Sequence, residues 1–239
     1  MNKPRVLVII PAYNESECIC GVVESLRECC PEYDLVVIND CSTDDTRKVL
    51  DNCGARRVDL PSNLGIGGAV QTGYRYALEC GYDISVQFDG DGQHMAEFLP
   101  AIVDPVARGE CDMCVGSRFL EKKGFQTSGL RRFGINFLRV LLRVVCGVKV
   151  TDVTSGFRAC SRELTEFFSL NYAQDYPEPE AIMAAVTAGF TVQEAPVEMR
   201  ERTTGKSSIS PLKSVYFMIK VSIAIVIGRF TLGGKRNGR

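Results

Sequence analysis

The chain has 239 residues, of which 45% are hydrophobic and 24% charged, and its formal net charge is −1. A chain of this length can bury a substantial core as one large or two small domains, and the composition is an ordinary one for a soluble protein. The amino terminus runs directly into a short strand-like stretch, Val6–Ile10, so we expect no secretory signal peptide.

The charges are unevenly distributed. Residues 200–239 contain nine Lys or Arg and one acid, a net charge of +8, whereas residues 1–199 contain 19 basic and 28 acidic residues, a net charge of −9. An acidic body with a basic tail suggests an anionic neighbour, either a membrane or a nucleic acid, unless the tail pairs with acids of the body. No aromatic residues alternate with these charges as a single-strand binding groove requires, so we expect no nucleic-acid partner.

Hydrophobic periodicity predicts alternating strands and helices. The predicted strands are Arg5–Ile10, Leu35–Ile38, Val58–Leu60, Ile84–Phe88, Asp112–Gly116 and Val192–Val197. The predicted helices are Ser16–Glu28, Ala69–Glu79, Ala96–Ala107, Leu130–Cys146, Tyr176–Ala188 and Leu212–Ile227. This alternation predicts an α/β fold with a doubly wound, mostly parallel sheet. We divide the chain into a domain of residues 1–210 and a basic amphipathic, membrane-associating tail of residues 211–239.

Cysteine usage and hydropathy indicate the cellular setting. The eleven cysteines are scattered and odd in number, which favours reduced core residues in a cytosolic protein over disulfides or a zinc site. The apolar stretch Leu212–Ile227 has 16 residues and includes two lysines, fewer apolar residues than the roughly 20 that span a bilayer. We therefore expect this stretch to lie on a membrane or to pack on the domain.

An acidic pair follows the predicted strand Ile84–Phe88. Asp89 and Asp91 stand at positions i and i+2, which project to the same side of an extended segment, so both can face one ion. A divalent cation would relieve their repulsion and keep coordination sites for a substrate diphosphate. Gln93 and His94 are further candidate ligands or phosphate contacts, and an acidic surface turn is the alternative interpretation.

Other strand ends carry side chains suited to a nucleotide. Pro11–Glu15 follows the first predicted strand, and its Tyr13 can stack on a base. Asp40 ends the second strand and suits a nucleoside hydroxyl or base edge, or simply caps a turn, and Ser42 and Thr43 can cap the next helix. The glycines of residues 65–68 permit close approach of the backbone to phosphate or ribose at a helix start.

Basic residues are concentrated after Gly116. Arg118 ends a strand and can place a guanidinium on a diphosphate. In the helix Leu130–Cys146, Arg132, Asn136, Arg139 and Arg143 share one face while Leu130, Phe133, Phe137, Leu141 and Val144 share another. This pattern suits either an anionic interface or a plain surface helix. The basic loop Arg200–Ser208 is fit to close over phosphates.

Seven motifs in order resemble family 2 glycosyltransferases, in particular the dolichol-phosphate mannose synthase and polyprenyl-phosphate glycosyltransferase branch. They are Pro11–Glu15, Asn39–Asp45, Asn63–Gly67, Asp89–Asp91, Gly116–Arg118, Asp152–Arg158 and Arg202–Ser208. The resemblance covers about residues 5–210. It implies a GT-A fold (the nucleotide-diphospho-sugar transferase fold), a UDP- or GDP-sugar donor, a divalent metal and inversion at the anomeric carbon.

The resemblance also implies roles for individual residues. The substrate-binding residues would be Pro11, Ala12, Tyr13, Glu15, Asp40, Gly67, Asp89, Gly90, Arg131, Arg132 and Lys206. The ligands of Mg²⁺ or Mn²⁺ would be Asp89, Asp91 and Gln93. Asp91, Arg118 and Arg202 would be catalytic, the two arginines acting on donor and acceptor phosphates.

Two departures from the family pattern bear on the acceptor. Where members that act on sugar hydroxyls offer a Glu-Asp pair as base, this chain has Glu178-Pro-Glu180. The family's lipid-phosphate enzymes often continue into transmembrane helices, whereas we expect none in this sequence, which stops at Arg239. A phosphate monoester, with a second pKa of about 6, is already ionised at neutral pH and needs arginines to position it rather than a base. This favours a polyprenyl phosphate acceptor at the cytoplasmic face of a membrane, with a separate membrane-anchoring subunit as a further candidate partner.

The sequence leaves two alternatives open. The chain could transfer a sugar to a hydroxyl of a glycan, with Glu178, Glu180 or Asp152 as the base. It could also be a non-catalytic membrane-bound subunit that uses a nucleotide-sugar fold for assembly, although the intact Asp89, Asp91 and Arg118 argue against this.

Overall fold

The computed structural model describes residues 3–121, 129–200 and 211–234, without the side chains of residues 129–131, 211–215 and 232–234. The strands are β1 (Val6–Ala12), β2 (Asp34–Asn39), β3 (Arg57–Asp59), β4 (Ile84–Gln87), β5 (Met113–Ser117), β6 (Arg158–Ser161) and β7 (Val192–Pro196). The helices are α1 (Ile19–Cys29), α2 (Thr46–Asn52), α3 (Gly65–Glu79), α4 (Leu99–Ala107), α5 (Gly129–Cys146), α6 (Arg162–Leu170), α7 (Pro177–Ala188) and α8 (Pro211–Gly234), and a 3₁₀ turn, Ala96–Phe98, precedes α4.

The strands form a single sheet in the order β3-β2-β1-β4-β6-β5-β7 within the described residues. All neighbours pair in parallel except β6, which runs antiparallel to both β4 and β5. The predicted doubly wound, mostly parallel sheet is therefore confirmed. The pattern did not predict β6, because this strand has four residues and begins with a charged side chain, Arg158.

The sheet is buried on both faces, as a parallel sheet with helical crossovers requires. In β1, Val6, Val8 and Ile10 belong to a core shared with α1 and α4. The alternate residues Leu7 and Ile9 belong to a second core shared with α3, α6, α7 and α8. The carboxyl ends of β1, β2 and β4 consequently meet at one edge, where they deliver the polar residues described below.

The last helix packs on the domain. Val221 and Ile225 of α8 are fully buried in the second core. Gly228 lies against Met183 of α7, where an added Cβ would come within 2.3 Å of the methionine methyl carbon. Of the two placements predicted for the stretch 212–227, packing on the domain is thus observed. Among the described residues, no helix is long and apolar enough to cross a membrane.

Helices α5 and α8 leave a large apolar surface exposed, which we call the α5–α8 face. Its exposed apolar residues are Phe133, Phe137, Val140 and Val144 of α5 and Tyr216, Ile219, Ile223, Val226, Ile227 and Phe230 of α8. The two helices touch, because Met218 lies against Gly134 and Arg229 Nε donates to the carbonyl of Val145 at 3.3 Å. In α5, Ile135, Leu138 and Leu142 are buried in the core, whereas Phe133, Phe137 and Val144 of the predicted apolar face are exposed. α8 is apolar on both its buried and its exposed side, rather than amphipathic in the ordinary sense.

Candidate active site

A pocket of about 380 Å³ opens at the carboxyl edge of β1, β2 and β4. Eight of the predicted site residues line it: Pro11, Ala12, Tyr13, Glu15, Asp40, Asp89, Gly90 and Asp91. Asn63, Gly65, Ile66 and Ala69 complete the lining. Tyr13 and Ile66 expose much of their surface here, so the pocket offers apolar walls for a base beside carboxylates for a cation or hydroxyl group.

Two loops interlock to form one wall of the pocket. Asn14 adopts a left-handed backbone conformation with φ of 56°, and its Oδ1 accepts a hydrogen bond from the backbone N–H of Thr43 at 2.8 Å. The N–H of Asn14 in turn donates to Ser42 Oγ at 3.0 Å. The prediction that Ser42 and Thr43 cap a helix was wrong, because these residues hold the Asn14 loop. Asp44 instead binds the first residue of α2 through the N–H of Thr46 at 3.0 Å.

Asp40 lines the pocket while it holds the chain that enters α3. Its Oδ1 accepts the N–H of Leu64 at 2.7 Å, and its carbonyl accepts Nδ2 of Asn63 at 3.2 Å. The residue is 2% exposed. A nucleoside contact for Asp40 stays a prediction, and any such contact would use a carboxylate whose position is already fixed.

The prediction that Gly67 lets the backbone approach a nucleotide was wrong. Gly67 is buried against the chain before α7: its N–H donates to the carbonyl of Gln174 at 3.1 Å, and an added Cβ would lie 2.0 Å from the carbonyl oxygen of Ala173. The glycine is needed for this packing between segments. The pocket is lined one turn earlier, by Gly65 and Ile66.

The Asp89 carboxylate is held by a hydrogen bond on each oxygen. Gln87 Nε2 donates to Oδ1 at 3.2 Å, and His94 Nε2 lies 3.0 Å from Oδ2. Burial by itself would raise the pKa of Asp89, but the charge of His94 and hydrogen bonds from His94 and Gln87 outweigh burial, so the pKa falls below its ordinary value. About a third of the side chain stays exposed, with 32% of its surface accessible. Asp89 therefore presents an ionised carboxylate to the pocket.

His94 is not a surface ligand, contrary to the prediction. Its side chain is buried, stacks on Phe157 with ring centroids 4.9 Å apart, and meets Phe88 edge to face at 5.4 Å. Nδ1 of His94 has no hydrogen-bond partner among the described residues. The imidazole thus supports Asp89 from the protein side rather than reaching a substrate.

The acidic pair fits a divalent cation that is shared with phosphates. Asp91 follows Asp89 after Gly90, and its Oδ1 accepts the N–H of Gln93 at 3.1 Å. The described residues contain no group of three or more His, Cys, Asp or Glu that could hold a metal without help. Mg²⁺ commonly binds through one or two carboxylates, waters and substrate phosphates, so this donor set suits it.

Gln93 fixes the chain that leads to the basic loop. The N–H of Arg200 donates to the carbonyl of Gln93 at 2.9 Å, and Gln93 Nε2 donates to the carbonyl of Arg200 at 3.4 Å. The chain that continues to Arg202 and Lys206 therefore leaves from beside the acidic pair. Arg202 and Lys206 lie outside the described residues, and a metal contact by Gln93 stays a prediction.

Arg118 and Asp152 form a buried ion pair instead of the predicted separate contacts. Arg118 Nε donates to Asp152 Oδ2 at 2.6 Å and Nη2 donates to Oδ1 at 2.7 Å. Arg118 is 7% exposed and Asp152 is fully buried. Asp152 has no surface from which to act as a base, and the guanidinium of Arg118 is bound to protein rather than open to a diphosphate.

One exposed arginine lies close to this pair. The guanidinium groups of Arg118 and Arg132 both lie over the ring of Phe119, at 5.3 and 5.8 Å from its centroid. Arg132 is exposed at the amino-terminal end of α5, next to the α5–α8 face. The side chain of Arg131 is outside the described residues.

Sequence reasoning did not assign the wall behind Asp89, although it singled out the polar loop of residues 151–158 as site-like. An added Cβ on Gly156 would lie 2.6 Å from Asp89 Oδ2. Arg158 is fully buried, donates from Nη1 to the carbonyl of Glu178 at 3.2 Å and from Nη2 to the carbonyl of Ser155, and its Nε has no partner among the described residues. This fixed cation favours the ionised form of Asp89. The sequence feature that could have indicated this wall is the run of a glycine, an aromatic residue and an arginine at positions 156–158.

The remaining candidate bases are Glu178 and Glu180 at the start of α7. Burial raises the pKa of Glu178 above its ordinary value, while the charge of Arg158 acts in the opposite direction. Burial also raises the pKa of Glu180, which Lys220 partly offsets. Glu178 is the one that interacts electrostatically with Asp89.

Residues 7–168 match the family model of glycosyl transferase family 2. The chain is a family 2 glycosyltransferase. This glycosyltransferase is 31% identical over 235 residues to polyprenol monophosphomannose synthase of Mycolicibacterium smegmatis. The match covers 94% of this chain and 88% of the relative. It is 30% identical over 222 residues to the UDP-N-acetylglucosamine–dolichyl-phosphate N-acetylglucosaminyltransferase of Methanococcus voltae, with 83% and 86% covered. The predicted resemblance to the polyprenyl-phosphate branch is confirmed.

The GT-A fold is confirmed by comparison with solved structures. Glucosyl-3-phosphoglycerate synthase of Mycobacterium tuberculosis, in complex with Mn²⁺, UDP-glucose and phosphoglyceric acid, superposes with a TM-score of 0.72 at 25% identity. The match covers 95% of this glycosyltransferase and 79% of that chain. That protein is thus similar in fold and crystallises with a metal and a nucleotide sugar.

Proposed function

We propose that the protein is an inverting, metal-dependent glycosyltransferase that moves a hexose from a UDP- or GDP-sugar to a polyprenyl phosphate at the cytoplasmic face of a membrane. Asp89, Asp91 and Gln93 would hold Mg²⁺ or Mn²⁺. When bound, the ion supplies Lewis-acid stabilisation of the leaving diphosphate. The carboxylates of Asp89 and Asp91 open into the pocket that Tyr13, Glu15 and Asp40 share, which supports a donor whose nucleoside and diphosphate lie side by side.

The residues of the chain contribute mainly by positioning. Tyr13 and Ile66 provide apolar contact for the base, and Asp40 offers an acceptor to a base or ribose donor group. His94 keeps the Asp89 carboxylate in place without itself reaching substrate. Arg202 and Lys206 follow Arg200 closely in sequence, and Arg200 is hydrogen-bonded to Gln93 beside the acidic pair, so they are proposed to bind the phosphates of donor and acceptor.

The observation that carries the choice of acceptor is the exposed arginine beside the α5–α8 face. A polyprenyl phosphate joins a long apolar chain to an anionic head, and here an exposed guanidinium, Arg132, borders an exposed apolar surface. The other exposed arginines of α5, Arg139 and Arg143, would meet anionic lipid headgroups. Such an acceptor needs no carboxylate to activate it. This agrees with the structure, in which the candidate base Asp152 is buried and bound by Arg118.

Product analysis tests this proposal. Purified protein is incubated with Mn²⁺, radiolabelled UDP- or GDP-hexose, a glycan acceptor and anionic vesicles that contain polyprenyl phosphate, with Asp91→Ala as the control. We expect label in an organic-phase product that mild acid releases, and no transfer by Asp91→Ala or after chelation of the metal. Label only in an acid-stable glycan, or wild-type transfer by Asp91→Ala, would refute it.

The second candidate function is transfer to a glycan hydroxyl. The observation in its favour is that burial raises the pKa of Glu178, which the charge of Asp89 raises further, and a raised pKa suits a carboxylate that serves as a base. Under this alternative Glu178→Gln abolishes transfer, whereas a phosphate acceptor leaves most activity in that variant. The same labelled-donor assay separates the two functions.

A further inference from the structure

A buried amide and a buried hydroxyl form a chain of two hydrogen bonds that ends at Asp89. Gln87, the last residue of β4, is fully buried, and its Nε2 donates to Asp89 Oδ1 at 3.2 Å. Its Oε1 accepts a hydrogen bond from the hydroxyl of Tyr172 at 3.2 Å. Tyr172 precedes α7 in sequence and is 85 residues away from Gln87. The tertiary fold alone therefore connects this hydroxyl to the acidic pair.

The direction of these hydrogen bonds follows from chemistry. An ionised carboxylate only accepts hydrogen bonds, so the NH₂ group of Gln87 must face Asp89. The amide oxygen of Gln87 then faces Tyr172, whose hydroxyl must be the donor. Burial raises the pKa of Tyr172 well above its ordinary value, so the hydroxyl keeps its proton. The chain of donors thus has one orientation, from Tyr172 through Gln87 to Asp89.

Packing holds the donor of this chain in place. The ring of Tyr172 meets Tyr74 edge to face at 5.3 Å and Phe168 at 5.1 Å. Tyr74 is itself fully buried, but its hydroxyl lies 3.9 Å from the sulfur of Cys160. The cluster therefore contains two buried tyrosines, of which Tyr172 is the one that bonds to Gln87.

We propose that Tyr172 and Gln87 are positioning residues that orient the Asp89 carboxylate for metal binding. The hydrogen bonds from Tyr172 to Gln87 and from Gln87 to Asp89 fix Oδ1, and His94 fixes Oδ2, so both oxygens of the carboxylate are held before an ion binds. This inference rests on the proposed metal-dependent function. Hydrogen-bonded partners of a metal ligand typically change metal affinity by about 10- to 100-fold when removed.

The test measures Mn²⁺ binding to the full-length protein with UDP or GDP present, because the acidic pair shares its ion with phosphates. Electron paramagnetic resonance follows the ion that the protein leaves unbound, against a reference that contains nucleotide alone. Tyr172→Phe removes one hydroxyl and keeps the ring, and Tyr82→Phe, whose hydroxyl donates to Asp34 instead, is the matched control. We expect Tyr172→Phe to weaken Mn²⁺ binding about tenfold, whereas Tyr82→Phe binds as the wild type does. Gln87→Met, which keeps the length of the side chain but removes both polar groups, should weaken binding at least as much.

Thermal unfolding of the metal-free proteins separates positioning from stability. A purely structural hydroxyl would lower the melting temperature and leave the Mn²⁺ dissociation constant unchanged. Wild-type Mn²⁺ affinity in Tyr172→Phe, or an equal loss in Tyr82→Phe, overturns the positioning role of Tyr172 and Gln87 while the proposed function stands. A wild-type protein that, with UDP or GDP present, binds Mn²⁺ no better than Asp91→Ala overturns both.

Discussion

Gly156→Ala places a methyl group against the Asp89 carboxylate. The added Cβ would lie 2.6 Å from Oδ2 and 2.9 Å from both Oδ1 of Asp89 and Nε2 of Gln87, whereas ordinary contact begins at 3.4 Å. The carboxylate or the loop must therefore give by about 0.8 Å. Metal–ligand distances tolerate only about ±0.2 Å, so a shift of this size removes Asp89 from a productive position.

Two effects of different kind are expected from this substitution. Mn²⁺ affinity should fall about 10- to 100-fold, or about 1.4 to 2.7 kcal/mol of binding free energy. Overpacking should cost about 1–3 kcal/mol of stability, which for a domain of this size lowers the melting temperature by about 2–12 °C. The assay combines Mn²⁺ titration in the presence of UDP or GDP, followed by electron paramagnetic resonance, with thermal unfolding in the absence of metal.

Gly21→Ala is the matched control. Gly21 lies in α1, and apart from the adjoining backbone of its own helix, no atom of the described residues lies within 4 Å of its added Cβ. In a helix this change should stabilise the protein by up to about 1 kcal/mol and leave Mn²⁺ binding unchanged. Mn²⁺ affinity in Gly156→Ala equal to that of Gly21→Ala would refute the reasoning that this glycine is required by the position of Asp89.

Three further predictions concern other parts of the molecule. Asp152→Ala should cost about 3–5 kcal/mol and lower the melting temperature by about 6–20 °C, because the change removes the carboxylate that binds the buried guanidinium of Arg118 through two hydrogen bonds. Gly67→Ala should weaken UDP or GDP binding measured by calorimetry, because a Cβ 2.0 Å from the carbonyl of Ala173 must displace the first turn of α3. Ile223→Asp should reduce sedimentation with anionic vesicles, because this change puts a negative charge in the exposed apolar stripe of α8.

Controls on the same protein make these results decisive. Asp175→Ala breaks an exposed ion pair with Lys220 and should barely change the melting temperature. An equally small change in Asp152→Ala would contradict the stabilising role of the buried pair between Arg118 and Asp152. Gly67→Ala with wild-type nucleotide affinity would show that α3 does not shape the pocket. Leu170→Asp alters an exposed leucine at the end of α6, and vesicle binding reduced equally by Leu170→Asp and Ile223→Asp would remove the α5–α8 face as a membrane contact.

The sequence by itself determined the frame of this protein and the location of its site. Continuous apolar runs such as Val6–Ile10 specify strands buried on both faces, and helical periodicity between them specifies a doubly wound sheet. In such a sheet, polar residues that follow strands must meet at the carboxyl edge. Local pattern was therefore sufficient to bring Tyr13, Asp40, Asp89 and Asp91 to one pocket.

Only the tertiary structure decided what surrounds those residues. Gly67 and Gly156 are both glycines in polar, glycine-containing segments, and the sequence does not distinguish them. In the structure, Gly67 packs against the backbone before α7, whereas Gly156 packs against the carboxylate of Asp89. The pairing of Arg118 with Asp152 joins side chains 34 positions apart in sequence. Such contacts depend on which segments the fold brings together. Periodicity along the chain does not encode them, because each contact joins two segments that are distant in sequence and close only in the folded structure.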